Sequence, residues 1–176
     1  MKERVSDMKR SLGVLALILL SVGTALAQLQ TVPVENFEIA PGTKAETIDR
    51  SMQEQIKRSI QENFKDWRLE SVRETEETSS STMIWANGEH KMVVEVSYLL
   101  SEKEAAKQLR FNLATIQMPR YKPFDDLGDG AYLIKTDGPI MFRKDRMVIH
   151  VCGCTAPFEI VEQFARRIAA VKDSDR

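Results

Sequence analysis

The chain has 176 residues, with 25 Lys and Arg against 26 Asp and Glu, 2 His and 2 Cys, and a formal charge of −1 at pH 7. So even a balance excludes the broad basic face that phosphate contacts require, and no nucleic-acid partner is expected. With only two histidines, a His-based hydrolase has few ways to be assembled.

Residues 1–27 place Lys2, Arg4, Lys9 and Arg10 before an apolar run from Leu12 to Val22, then close on Thr24-Ala25-Leu26-Ala27. Basic, apolar, then A-x-A is the order of a secretory signal peptide, which predicts a mature chain starting at Gln28 in a periplasmic or extracellular compartment. The run is shorter than the roughly 20 residues that span a bilayer, so an uncleaved anchor is the alternative, and no membrane span is expected in the mature chain. No Cys follows the small-residue box, which offers no lipoprotein anchor. Cleavage removes four basic and two acidic side chains, leaving 21 basic against 24 acidic over 149 residues, a formal charge of −3. A chain of ~150 residues buries about two-thirds of its unfolded surface, so one core suffices without disulfides. The expected organisation is a signal peptide (1–27), an extended lead segment with two prolines and a glycine (28–44), and a single domain (45–176).

From Ala45 to Phe64, the apolar residues Ile48, Met52, Ile56, Ile60 and Phe64 recur every four positions, one face of an amphipathic helix. Trp67, Leu69 and Val72 then lead into RETEETSSST, readable as a half-wet strand or a loop, and Met83-Ile84-Trp85 follow. Asn87-Gly88 between two apolar runs predicts a hairpin with a type I′ turn. In the return strand, Met92, Val94, Val96 and Tyr98 share one face and Val93, Glu95, Ser97 and Leu99 the other. Ser101 and Glu104 form a capping box opening a helix to about Gln117, with Ala105, Leu109, Leu113 and Ile116 on one face and Pro119 as its stop.

The loop RYKPFDDLGDG follows, then Ala131–Ile134 as a strand, a turn at Asp137-Gly138, and a hairpin of Ile140–Arg143 with Met147–Cys152 around Lys144-Asp145. Thr155 or Ala156 is the expected cap of a last helix buried along Phe158, Val161, Phe164, Ala165, Ile168 and Val171. The order α-βββ-α-βββ-α predicts an α+β fold, an antiparallel sheet of about six strands with its helices on one face.

His150, Cys152 and Cys154, spaced two apart, are the sharpest candidate for chemistry, since an ideal strand projects all three from one face. They are soft or borderline ligands suited to copper or zinc, but alternate residues of a flat strand are too widely spaced to share one ion unless Gly153 bends the chain, and the only other His is His90. Alternatively, Cys152 and Cys154 close a small, easily reduced disulfide ring, or they are buried and unreactive. Arg143, Lys144 and Arg146 at the hairpin tip are a candidate surface for an anionic ligand or partner, or solubilising turn residues. The acidic positions Asp125, Asp126 and Asp129 lack the ligand spacing of a calcium loop and read as turn formers. Glu74, Glu76 and Glu77 read as a solvated strand edge, and Trp67, Trp85 and Tyr132 as core packing or the lining of a ligand cleft. No catalytic residues and no cofactor are assigned.

The residues LGDGAYLI, then IMFRKDRMVIHV and a final helix EIVEQFARRIAAV, resemble the C-terminal part of small exported bacterial α+β domains. Those occur as secreted proteins and lipoproteins and as extracellular sensor domains of receptor kinases. They carry a Gly-Asp-x-Ala-Tyr strand, a Phe-Arg-Lys/Arg-Gly hairpin and an Ala-rich helix. The resemblance covers about the last 50 residues. Asp145 stands where the pattern has Gly. The resemblance implies a helix-on-sheet fold and a binding or sensing role without catalysis. Taken together, the sequence predicts an exported, non-catalytic binding or accessory module for an unknown protein or small ligand of the cell envelope. The alternatives are a thiol-redox or metal protein using the HxCxC strand and a structural partner in an envelope complex.

Overall fold

The structure, a computed structural model, describes residues 40–115, 121–124, 126–134 and 138–172. The signal segment, most of the lead segment, Ile116, Gln117, Pro119, Asp125 and Asp137 lie outside the described residues.

Helix α1 is Arg50–Asn63, shorter at its start than the apolar repeat suggests. Asp49 ends the extended approach by accepting a hydrogen bond from the Met52 N–H through Oδ1 at 3.0 Å, which answers one of the unpaired donors of the first turn. Its other oxygen meets Arg146 at 2.9 Å. Because one carboxylate both caps α1 and ties it to a distant hairpin, Asp49→Ala is expected to cost about 0.5–2 kcal/mol in urea unfolding. Ile48 and Ala45 pack on the same core from the extended segment.

Strands β1 (Arg68–Thr75), β2 (Ser80–Asn87) and β3 (His90–Tyr98) form an antiparallel meander. RETEETSSST is therefore strand, one 3-10 turn at Glu76–Thr78, and strand. The turn ends on Ser79 at φ 44°, whose hydroxyl donates to the Ala45 carbonyl. The Asn-Gly hairpin forms, with a turn one residue out of the expected frame. Asn87 pairs with His90, so Gly88 and Glu89 are the central residues. Only Gly88 has positive φ (75°), which puts glycine in the first central position, as in a type II′ turn.

Helix α2 is Glu102–Thr115. Half of the expected capping box is present: the Glu104 N–H donates to Ser101 Oγ at 3.3 Å. The Glu104 carboxylate turns away to accept from the Thr43 N–H at 2.7 Å, and this backbone donor holds its pKa below the usual carboxylate range. Beside it, the Gly42 N–H donates to Gln108 Oε1 at 3.0 Å, so residues 42–45 strap α2 to the end of β3.

The second half comprises β4 (Tyr121–Pro123), β5 (Ala131–Ile134), β6 (Ile140–Lys144), β7 (Met147–Gly153) and α3 (Phe158–Ala169). The sheet order is β1-β2-β3-β7-β6-β5-β4, every neighbour antiparallel. This is the expected α+β class and element order. The seventh strand, β4, lies in the loop RYKPFDDLGDG, where prolines obscure a three-residue edge strand.

The expectation that all helices share one face is corrected. Helices α1 and α3 cover the inner face, where Met52, Ile56, Ile60, Phe164 and Ile168 join Met83, Trp85, Val94, Ile140, Phe142, Ile149 and Val151. Ala105, Leu109 and Leu113 of α2 instead pack on Met141, Val148, Ile134 and Leu99. Met141 lies between Ile140 and Phe142 and Val148 between Met147 and Ile149, so this second cluster is on the outer face. Two cores thus sandwich β5, β6 and β7, while among the described residues no helix packs on the outer face of β1, β2 and β3.

Tyr98 ends β3 fully buried, its hydroxyl beside Ser81 but not in hydrogen-bond geometry with it. Burial, reinforced by the nearby Asp49 and Glu74 carboxylates and opposed by Ser81, pushes its pKa up to about 12. A folded pKa raised above the unfolded value of about 10 favours the neutral phenol. Its contribution to stability is present below pH 10 and lost as pH rises from about 10 to about 12. Tyr98→Phe removes a hydroxyl that makes no well-formed hydrogen bond among the described residues. It is expected to keep neutral-pH stability within about 1 kcal/mol of the parent and to flatten the alkaline limb of a stability–pH curve.

Candidate functional site

His150 and Cys152 lie on the outer face of β7, opposite Glu95 and Val93 of β3. His150 Nδ1 is 3.9 Å from Glu95 Oε2, and this imidazole holds the Glu95 carboxyl below the usual carboxylate range against the opposing effect of burial. Cys154 is past the end of the strand, exposed, with its N–H donating to the Lys91 carbonyl at 3.0 Å. Both sulfurs are free thiols. Burial pushes the Cys152 thiol up, and the adjacent Cys154 thiol adds to the shift. His90 donates from Nδ1 to the Thr155 carbonyl at 2.8 Å. Among the described residues no three His, Cys, Asp or Glu side chains gather as metal ligands. The structure therefore brings the two sulfurs together and turns each imidazole to another partner.

Thr155 does not cap α3, where Pro157 takes the N-cap position with no side-chain bond. Its hydroxyl instead accepts from the Lys91 N–H at 2.9 Å and donates to the Glu89 carbonyl at 3.2 Å, clamping the β2–β3 turn to the end of β7. Gly153 faces the inner layer beneath this clamp. An added Cβ there would come within 2.6 Å of Val161 Cγ2 and 2.9 Å of the Ala156 carbonyl oxygen.

The hairpin cations are each engaged. Arg143 sits 3.5 Å from Asp129, Lys144 3.6 Å from Asp145 and Arg146 2.9 Å from Asp49. Asp145 takes φ 51° in the turn, the left-handed position that glycine fills most readily. Asp129 accepts from the Asp145 N–H at 2.8 Å, a turn-building role. Trp67 and Trp85 are core residues, and Tyr132 is half-buried against the outer cluster. Glu74 pairs with Arg50 at 2.9 Å on the exposed β1 edge.

Of the three cations, Arg146 also lines a shallow bowl of about 400 Å³ with Leu100, Ser101, Glu102 and Lys103. Leu100 is 58% exposed, the larger of two exposures among big apolar side chains in the described residues. The bowl lies where β3 passes into α2, and the Leu99 N–H donates to the Arg146 carbonyl across it at 2.9 Å. Sequence reasoning missed Leu100 as a surface residue, because alternation sends Tyr98 to the inner core, Leu99 to the outer one and would return Leu100 to the inner face. The strand ends at Tyr98, and Leu100 is left outside both layers.

The fold defines an α+β domain with a seven-stranded antiparallel sheet and helices on both faces. In comparisons with known proteins, no family model, curated protein or solved structure matches the chain.

Proposed function

We propose that the protein is an exported, non-catalytic binding or accessory module that takes a small ligand or envelope partner at the bowl around Leu100 and Arg146. The observation that carries this reading is an apolar side chain left open in a shallow depression, ringed by Lys103, Arg146 and the start of α2. Export rests on the basic, apolar and A-x-A order of residues 1–27. Among the described residues no helix is long and apolar enough to cross a membrane.

Cell fractionation with N-terminal sequencing tests the export half. A chain in the exported fraction beginning at Gln28 supports it, and an intact Met1 in the cytoplasm contradicts it. Leu100→Glu tests the binding half. An exposed position tolerates the change within about 0.5 kcal/mol of stability, so loss of a co-purifying ligand or partner with an unchanged melting curve assigns the bowl. Undiminished co-purification excludes it.

The reading as a structural partner required an apolar patch on the uncovered sheet face. Ile84 and Val93 are half-buried there, with Arg73, Lys91 and Glu95 exposed along the same strands. That arrangement favours the bowl over the open sheet.

A further inference from the structure

We propose that Cys152-Gly153-Cys154 is a dithiol exchange site that reacts with low-molecular-weight disulfides, with Cys154 as the attacking sulfur and Cys152 as the resolving one. This is independent of whether the bowl binds anything.

Cys152 stands opposite Val93, and two residues later Cys154 still bonds the Lys91 carbonyl, so both side chains leave the chain on one side. On a flat strand such neighbours are about 6–7 Å apart at Cα, at the outer limit for a disulfide. Here the strand ends at Gly153 and the chain bends through 154–156, with the Cys154 thiol near enough to act on the Cys152 thiol. Val161 and Ala156 press on Gly153 from the opposite side, while Thr155 is clamped to the β2–β3 turn. Packing and hydrogen bonds on both flanks thereby fix the backbone that carries the two sulfurs.

Exposure divides the labour. Cys154 is open to solvent and Cys152 is half-buried. In the first step the Cys154 thiolate attacks one sulfur of the small disulfide. A mixed disulfide forms, and the other half leaves as a thiolate that takes up the proton Cys154 lost. In the second step Cys152, giving up its proton, attacks Cys154 Sγ and expels the remaining half as a thiol. One protein dithiol and one small disulfide become one protein disulfide and two small thiols, with atoms and electrons balanced. Strain in the small ring keeps the product easy to reduce.

The test is incubation of the reduced full chain with glutathione disulfide, followed by alkylation and intact mass measurement. The expected wild-type product has lost two hydrogens, takes no alkylating reagent, and regains both thiols with dithiothreitol. Cys152→Ser is expected to stop at a stable glutathione adduct on Cys154, and Cys154→Ser to lose adduct formation. Full double alkylation of the wild type, a stable wild-type adduct, disulfide-linked dimers alone, or an adduct that forms on Cys152 but not on Cys154 would each overturn the proposal. The wild-type measurement stands by itself if either variant folds poorly.

Discussion

Phe164→Ala is expected to lower unfolding stability by about 3–5 kcal/mol, enough to drop the thermal midpoint by on the order of 10–20 °C. Phe164 is fully buried on α3, and its ring meets three aromatic groups of the inner core. Its centroid lies 4.2 Å from Phe64, 5.1 Å from Trp67 and 6.4 Å from Trp85. Those partners come from the end of α1, the link to β1 and the middle of β2, so removing one ring unpacks three elements from the last helix. The neighbours are anchored by backbone ladders and a helix end, which limits their collapse into the void. Phe164→Leu refills most of the space and should show a smaller loss. Equal, negligible losses for both would mean that α3 does not bind the sheet through this ring.

Gly153→Ala is the second large effect, a loss of about 1–3 kcal/mol from overpacking. A single methyl would meet Val161 of α3 and the Ala156 carbonyl at separations real Cβ atoms do not adopt. Relief requires α3 or the end of β7 to move, and the latter is fixed by the Lys91–Thr155 and His90–Thr155 bonds. Denaturant unfolding measures the cost. The double change Gly153→Ala with Val161→Ala should recover part of it, because it withdraws the closest clashing atom. No recovery would place the conflict at the Ala156 carbonyl alone.

The rough element order and the hairpins β2–β3 and β6–β7 were legible because two periods are written plainly along the chain, whereas the β3–β7 pairing that joins the halves and the edge strand β4 were not. The four-residue repeat Met52, Ile56, Ile60 became the buried stripe of α1, and the alternation of Met92, Val94, Val96 and Tyr98 became the inner face of β3. Which face α2 covers was not legible from α2 itself. Ala105, Leu109 and Leu113 say that a stripe is buried, not on which side of a sheet. The clue was in β6 and β7, where Ile140-Met141-Phe142 and Met147-Val148-Ile149 are apolar at both parities, the pattern of strands covered on two faces.

At the candidate site, the nearness of Cys152 to Cys154 follows from their spacing, whereas Gly153 stays in β7 and the bend comes after it, at 154–156. The diversion of both imidazoles was not, because Glu95 and Thr155 are remote in sequence and meet His150 and His90 only through sheet register. The same holds for the hairpin cations, whose partners Asp129 and Asp49 come from other parts of the chain. Leu100 was not legible either, because alternation would return it to the inner face with Tyr98 and only the end of β3 at Tyr98 leaves it exposed.

The central claim, that the bowl is where this module meets its ligand or partner, is tested most directly by placing a photo-crosslinking amino acid at position 100 in cells that export the protein. A matched control goes at Arg58, exposed on α1. Irradiation is expected to give one discrete adduct from position 100 and none from position 58. It should disappear when Arg146→Glu is added, provided the melting curve shows the chain still folded. No adduct at position 100, or the same adducts at both positions, would contradict the claim.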